Sequence, residues 1–529
     1  VPSVSDQRER ISPTNAALLS LEIFAFAMAV CLPSRHFFDD ETINVFLLRE
    51  KSIGQLYRFA QGQDVHPPLS YIFNGIVYKA TGNPNSILWV NAALMGIALF
   101  VFVRAVGERV QSDLLRVVLA AGTALNPSLL LWGVSLRWYS YWIPLAMAIF
   151  VIVFLAPRKR SSLPLAAGLC VLSFYIGYLT LVYITVVVGV EWMTRGVRLT
   201  RRLICTTCWS LAAILPQCYY LVKVHIPQGK GQSSHELIKV VGSAGIGTFV
   251  GPLVFPVSPW AIAFTLATLA VISVILVRNF QFESGSLLAR LRSIDPLLLA
   301  ALGLCVLETV LGIAIKERNL AIASILLFSW LPTRMHLAPK IFSYSYLTVW
   351  ALFLSKCTWN MALQHDTGKA SVNTPVADLR RQILADEARF ETDDTHTYLV
   401  TWDKDASCYG LLWNMRTLSP LVNGVEHEAD TYDFHIPVNS LVVVLQTQGP
   451  RVNSGYGTSH YVADKASANL TRTSRASLGF DRYHTFETKM TGAYFPPYQI
   501  DYLAGFSKRA LDLHWVGASN SGSWQKDQS

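Results

Sequence analysis

Three carboxylates in a row, Asp39-Asp40-Glu41, follow the first long apolar run of the chain. Asp64 and His66 come later, in the string Asp64-Val65-His66-Pro67-Pro68-Leu69-Ser70-Tyr71. Arg137-Trp138-Tyr139 and Lys316-Glu317-Arg318 stand in short polar breaks between further apolar runs. Carboxylates beside cations suit the displacement of a phosphate leaving group. A carboxylate can take the proton of an attacking hydroxyl as general base. Cationic side chains can bind the phosphate and stabilise the charge that develops as the bond to it breaks. Such a cluster at the mouth of a membrane helix is costly unless water or substrate meets it. Each group also has a bland reading. The acids can be a solvated turn that orients the preceding helix. His66 can cap a helix that begins at Pro67. Arg137 and Tyr139 can be interfacial anchors.

The elements that must position these residues follow from composition. The chain has 529 residues, of which 52% are hydrophobic and 15% charged. The apolar residues come in runs of roughly 18–22, the length a helix needs to cross a bilayer. This predicts a polytopic α-helical membrane protein with about eleven transmembrane helices. Spans are expected near 15–33, 85–103, 117–133, 140–156, two within 163–193, then 203–222, 259–277, 296–314, 320–332 and 341–357. The apolar stretch 67–82 is short and stops at Thr-Gly-Asn-Pro, which reads as a helix lying along the interface. The start, with Arg8 and Arg10, reads as the flank of a retained first helix rather than a cleaved signal.

Sides follow from charge. With Arg8 and Arg10 in the cytoplasm, the basic clusters at 104–116, 157–160, 195–202, 278–292 and 334–340 fall there too. This alternation holds only if 67–82 does not span. The net charge of +9 is thereby an orientation signal and does not call for nucleic acid. The opposite face collects the acid triplet, Asp64 with His66, the Arg137 turn, the 223–258 loop and the Lys316 turn. Arg318 lies where positive charge is under-represented, so anchoring explains it less well.

Beyond residue 357 the chain turns polar. Residues 379–391 read as an amphipathic helix, 397–402 and 440–446 as buried strands, and the tail 517–529 as disordered. The division is a transmembrane domain over 1–357, with a catalytic external loop at 34–83, and an extracytoplasmic mixed α/β domain over 358–529. Eight cysteines form no framework, since only Cys408 lies in the polar region. Cys205 and Cys208 have CxxC spacing but no second ligand pair nearby.

The acid pair after the first helix, followed by His66-Pro67-Pro68-Leu69 and an aromatic, resembles the GT-C superfamily of membrane glycosyltransferases. It is most similar to the branch of protein O-mannosyltransferases and bacterial aminoarabinose transferases. Leu125-Asn126-Pro127 with Arg137-Trp138-Tyr139, and Glu317-Arg318, resemble later segments of that family more loosely. The resemblance implies inverting transfer of a sugar from a polyprenyl-phosphate donor to an acceptor hydroxyl, outside the cytoplasm. Asp40 maps as the general base, with Asp39 or Glu41 supporting it. Lys316 and Arg318 map as phosphate ligands, Arg137 and Tyr139 as site-lining residues, and His66, with Asp64 beside it, as a substrate contact. The acceptor is a glycan, a lipid or a protein hydroxyl. No cofactor or metal is implied, although three clustered acids leave a divalent metal as an alternative. The expected location is a bacterial inner membrane, with the site and C-terminal domain facing the periplasm. Two rivals remain: a lipid-linked sugar flippase or transporter, and a ligase or polymerase using a diphosphate-linked donor.

Overall fold

In the computed structural model, the described residues are 11–32, 39–62, 64, 66–156, 162–195, 213–225, 248, 259–282, 294–311, 317–363, 373–393, 396–400, 416–418, 431–448, 480–490, 498–516 and 523–526. The chain divides into two compact units, Val1–Arg35 with Glu50–Leu363, and His36–Arg49 with Gln364–Ser529.

The first unit is helical. Its elements are α1 (Pro13–Cys31), the C-terminal residue of α2 (Asp39–Glu50), α3 (Ile53–Gly62), α4 (Leu69–Thr81), α5 (Asn85–Gly107), α6 (Asp113–Ala124), α7 (Pro127–Trp132), α8 (Tyr139–Phe150), α9 (Ser162–Phe174), α10 (Leu179–Arg195), α11 (213–220), α12 (Pro259–Phe282), α13 (Pro296–Val310), α14 (Ala321–Arg334) and α15 (Lys340–Leu363). Among the described residues, three stretches are long and apolar enough to cross a membrane: Pro13–Cys31, Asn85–Gly107 and Asp113–Trp132. Shorter apolar helices cover Tyr139–Leu155, Pro164–Phe174, Leu179–Thr194, Ile262–Arg278 and Pro296–Val310. The described chain is mostly helical, with helices long and apolar enough to cross a membrane and two small sheets.

Two local features depart from the sequence expectation. The helix expected over 67–82 is α4, but the loop expected before it is largely helical in its described part, as α2 and α3. Asp39, Asp40 and Glu41 open α2, where carboxylates favour the positive end of the helix dipole. Residues 117–133, expected as one span, are interrupted at Asn126. Its Oδ1 accepts from Ser128 N at 3.0 Å and Leu129 N at 3.3 Å, so it caps α7 while Pro127 starts it.

α14 is the axis of this unit. Every residue from Ala321 to Thr333 is buried, as expected of a helix apolar all round. Small polar groups tie it to α6 and the α7 cap. Thr123 Oγ1 lies 3.2 Å from Ser329 Oγ, and Asn126 Nδ2 donates to Ser324 Oγ at 3.3 Å. A Cβ on Gly122 of α6 would stand 2.2 Å from the Trp350 ring of α15, so a glycine is what lets that indole in.

α8 separates the two ends of the unit. With the π turn Val151–Leu155 that continues it, it spans roughly 25 Å at ~1.5 Å per residue. At its far end Arg109 Nη2 donates to Phe154 O at 3.1 Å. Arg109 and Arg334 both pair with Asp295 there, at 3.5 and 3.6 Å. Arg116 Nη1 reaches Ile11 O at 2.8 Å. These arginines come from clusters that charge alternation assigns to one side. Arg137 stands at the near end.

The second unit contains most of α2, helix α16 (Asn373–Phe390) and strands β1 (Thr397–Val400), β2 (Arg416–Leu418), β3 (Thr431–Ile436), β4 (Ser440–Gln448), β5 (Arg482–Met490), β6 (Tyr498–Ser507), β7 (Leu511–Val516) and β8 (Ser523–Lys526). One sheet has the order β2-β1-β4-β6-β5, and the other β3-β7-β8. β1 runs parallel to β2 and β4, whereas β4-β6-β5 is antiparallel. α16 packs Leu379, Ile383 and Phe390 onto Leu399, Leu441, Val443 and Tyr502. Gly505 lies against Phe480, which a Cβ would meet at 2.3 Å. The expectation of disorder over 517–529 is corrected at 523–526: β8 pairs with β7, with Trp524 opposite Trp515 in the register.

Candidate functional site

The near end of the first unit brings Asp64 and His66 together with Arg137 and Tyr139, from two segments. Pro67 and Pro68 lead into α4, and Leu69 N donates to Tyr175 O at 3.2 Å. This fixes the His66 segment against the turn between α9 and α10. Tyr71, one turn into α4, donates its hydroxyl to the Asp64 carboxylate. Arg137 Nη2 lies 3.2 Å from His66 Nε2. A guanidinium only donates, so His66 accepts on Nε2, and the ring is then neutral with its proton on Nδ1.

The Arg137 turn is built by buried amides. Asn91 Nδ2 of α5 donates to Ser135 O at 2.7 Å and to Ser140 Oγ at 3.0 Å. Asn74 Nδ2 of α4 donates to Leu136 O at 3.0 Å, and Asn74 Oδ1 accepts from Tyr141 OH at 2.7 Å. Ser140 Oγ lies 2.7 Å from Arg137 O. Buried peptide groups that leave the helix ladder need such partners, and two asparagines in apolar helices provide them.

Aromatic rings wall the turn. Trp138 lies 4.0 Å from Tyr139 and 5.7 Å from His66, centroid to centroid. Tyr139 is 1% exposed and also meets Trp132 at 5.8 Å. The Trp138 ring lies on the backbone of Gly177, where a Cβ would approach to 2.4 Å. Glycine at 177 therefore allows the break between α9 and α10 to close onto the Arg137 turn.

A second set of polar groups sits beside this one. Gln61 Nε2 of α3 donates to Gln217 Oε1 at 2.8 Å, and Gln217 Nε2 donates to Tyr178 OH at 2.6 Å. Tyr175 OH donates to Ala213 O at 2.6 Å. The Tyr178 phenol is pushed up to about 12, first by burial, with Cys218 and the Asp64 charge adding and the Gln217 hydrogen bond opposing. Gln61, Asn74, Asn91, Gly177, Tyr178 and Gln217 were not singled out as site residues by sequence reasoning. Lone amides within apolar runs were the signal that could have found Asn74, Asn91 and Gln217.

The remaining candidates belong to the second unit or have no described side chain. Asp39 and Asp40 begin α2, their side chains lying outside the described residues, and Glu41 beside them is buried. All three belong to the second unit. Lys316 lies outside the described residues. Arg318 is described by its backbone, in the 3-10 turn Glu317–Leu320. Cys205, Cys208 and Cys408 also lie outside them. Among the described residues, no three His, Cys, Asp or Glu side chains converge as a metal-ligand set. No protein-family model matches the chain, and no curated protein matches its sequence.

Proposed function

We propose that the chain is a membrane glycosyltransferase of the GT-C type, with about eleven spans, which transfers a sugar from a polyprenyl-phosphate donor to an acceptor hydroxyl. The observation that supports this reading best is the 3.2 Å approach of Arg137 to His66. It joins His66, from one stretch that carries the resemblance, to the Arg137 turn, which resembles the family more loosely, and it holds a cation and an imidazole N–H at the end of the helices, where a lipid-borne phosphate would lie.

Asp40 takes the proton from the acceptor hydroxyl. The oxygen attacks the anomeric carbon from the face opposite the phosphate, forming the new C–O bond. The bond from carbon to phosphate oxygen breaks, and its electron pair leaves on the polyprenyl phosphate. Configuration at that carbon inverts. Arg318 and Lys316, with Arg137 beside His66, stabilise the departing phosphate. Asp39 and Glu41 support the base. The C-terminal domain faces the exterior and shapes acceptor access.

Sugar transfer in membranes bearing wild type, Asp40→Asn or Arg318→Ala tests this, each with a panel of polyprenyl-phosphate sugars. Transfer by wild type that Asp40→Asn abolishes supports the scheme. Undiminished transfer by Asp40→Asn removes Asp40 as the base.

A flippase reading rests on the break at Asn126, since interrupted helices line the sites of many transporters. Transbilayer movement of a lipid-linked sugar in proteoliposomes, without transfer, would favour it.

A further inference from the structure

The stretch that carries Asp64 and His66 joins α3 to α4, and both of its ends are tied to one short turn between α9 and α10. After His66, Leu69 N donates to Tyr175 O at 3.2 Å. Before Asp64, Gln61 Nε2 donates to Gln217 Oε1 at 2.8 Å, and Gln217 Nε2 donates to Tyr178 OH at 2.6 Å. Helix α11 is therefore the bridge at the earlier end. It carries Gln217, and its Ala213 carbonyl accepts from Tyr175 OH at 2.6 Å. The inward face of α11 is narrow: Ile214 and Gln217 are buried, whereas Leu215 and Tyr219 are exposed. Gln61 is buried as well. Two buried amides are a costly way to seat a short helix that apolar side chains could seat. What they add is direction, because a chain of hydrogen bonds fixes one register where an apolar contact tolerates several.

We propose that Gln217 is a positioning residue for His66. Through Gln61 and Tyr178 it clamps the stretch ahead of Asp64, as Leu69 N clamps it behind His66, and the two ties together keep the imidazole on Arg137. With the Gln217 tie cut, the stretch is held at one end only and the ring leaves the guanidinium. That the clamp serves sugar transfer rests on the reaction proposed above; that it holds His66 does not.

The test reads His66 directly. Diethyl pyrocarbonate acylates an imidazole nitrogen that bears no proton, and in His66 that is Nε2, which Arg137 covers at 3.2 Å. Acylation of the His66 peptide is followed by mass spectrometry on the full-length protein in detergent, relative to His396, which is 54% exposed in the second unit. Arg137→Ala gives the rate of an uncovered ring. Gln217→Met keeps the volume and removes both bonds, and Gln61→Met cuts the chain at its other end should the first variant not fold. Each is expected to raise His66 acylation roughly fivefold, the scale of one lost hydrogen bond. The double variant should go no further, because the two amides act as one unit. Ile214→Ala loosens the same helix without touching the chain of bonds, and is expected to lower the melting temperature while His66 stays covered. In membranes, Gln217→Met is expected to lower turnover at saturating donor with little change in the KM for the donor, as for an interaction made in the transition state. Unchanged acylation in both glutamine variants overturns the proposal, as does a rise in Ile214→Ala equal to theirs. Faster acylation with undiminished transfer removes the role in transfer. Faster acylation with no transfer by any protein, wild type included, upholds the clamp and counts against the transferase reading alone.

Discussion

Arg137 and His66 stand 71 residues apart in sequence and 3.2 Å apart in space. Neither would be held there by its own segment. Asn74 and Asn91 fix the Arg137 turn, and the Tyr175 carbonyl anchors the start of α4. Arg137→Ala is expected to lower transfer roughly ten- to a hundredfold, the scale of one hydrogen bond to a charged group. His66→Gln, which retains an acceptor, should lose less than His66→Ala. Turnover measured at saturating donor checks the order of the three variants.

Tyr178 titrates late. Its folded value of about 12 lies above that of an exposed phenol. The unfolded chain therefore releases this proton first as pH rises. The stability contributed by the neutral phenol is complete below pH ~10 and is lost as pH climbs towards 12. Ultraviolet titration should show one late-ionising tyrosine fewer in Tyr178→Phe than in wild type; an unchanged titration would mean that Tyr178 ionises with the exposed phenols.

Gly122 admits the Trp350 ring, which is 2% exposed and so has little room to yield. Gly122→Ala is expected to destabilise the first unit by about 1–3 kcal/mol, as overpacking does. Trp350→Phe on the same background should restore part of the loss in thermal unfolding. A melting temperature unchanged by Gly122→Ala would mean that the indole moves freely.

Asp295 caps α13 and faces two arginines. Asp295→Ala should cost about 1–3 kcal/mol, combining a lost cap with a cation left unpaired. Asp295→Asn retains the cap and should cost less. Thermal unfolding of both variants at low and high salt separates the two contributions, because only the ionic part is screened.

The legible parts of the sequence were those written in composition and punctuation. Apolar run length marked α1, α5 and α13, and the Thr-Gly-Asn-Pro stop marked the end of α4, which closes on Gly82 in the left-handed conformation at φ 67°. The strand over Ser440–Gln448 was visible as a Val-rich run, whereas β5 and β6, with Lys, Glu, Asp and Gly among their residues, were not. The break at Asn126 was present as an Asn-Pro pair, but run length outweighed it. Topology could put Asp64, His66 and Arg137 on one face. It could not show that an asparagine one turn into α4 would brace the turn carrying Arg137, because that bond depends on how helices pack. The helix opened by Asp39 was hidden for a related reason: charged residues read as loop unless the helix dipole is considered.

α14 has consequences for how the protein is made. Its 14 residues cover roughly 21 Å, short of the ~30 Å hydrocarbon core. It also carries Ser324, Ser329 and Thr333 inside. Such a segment is a poor substrate for insertion by hydrophobicity alone. Its burial rests on neighbours that present Thr123 and Asn126, so the axis of the helical unit is held in place by its surroundings and not by its own partitioning.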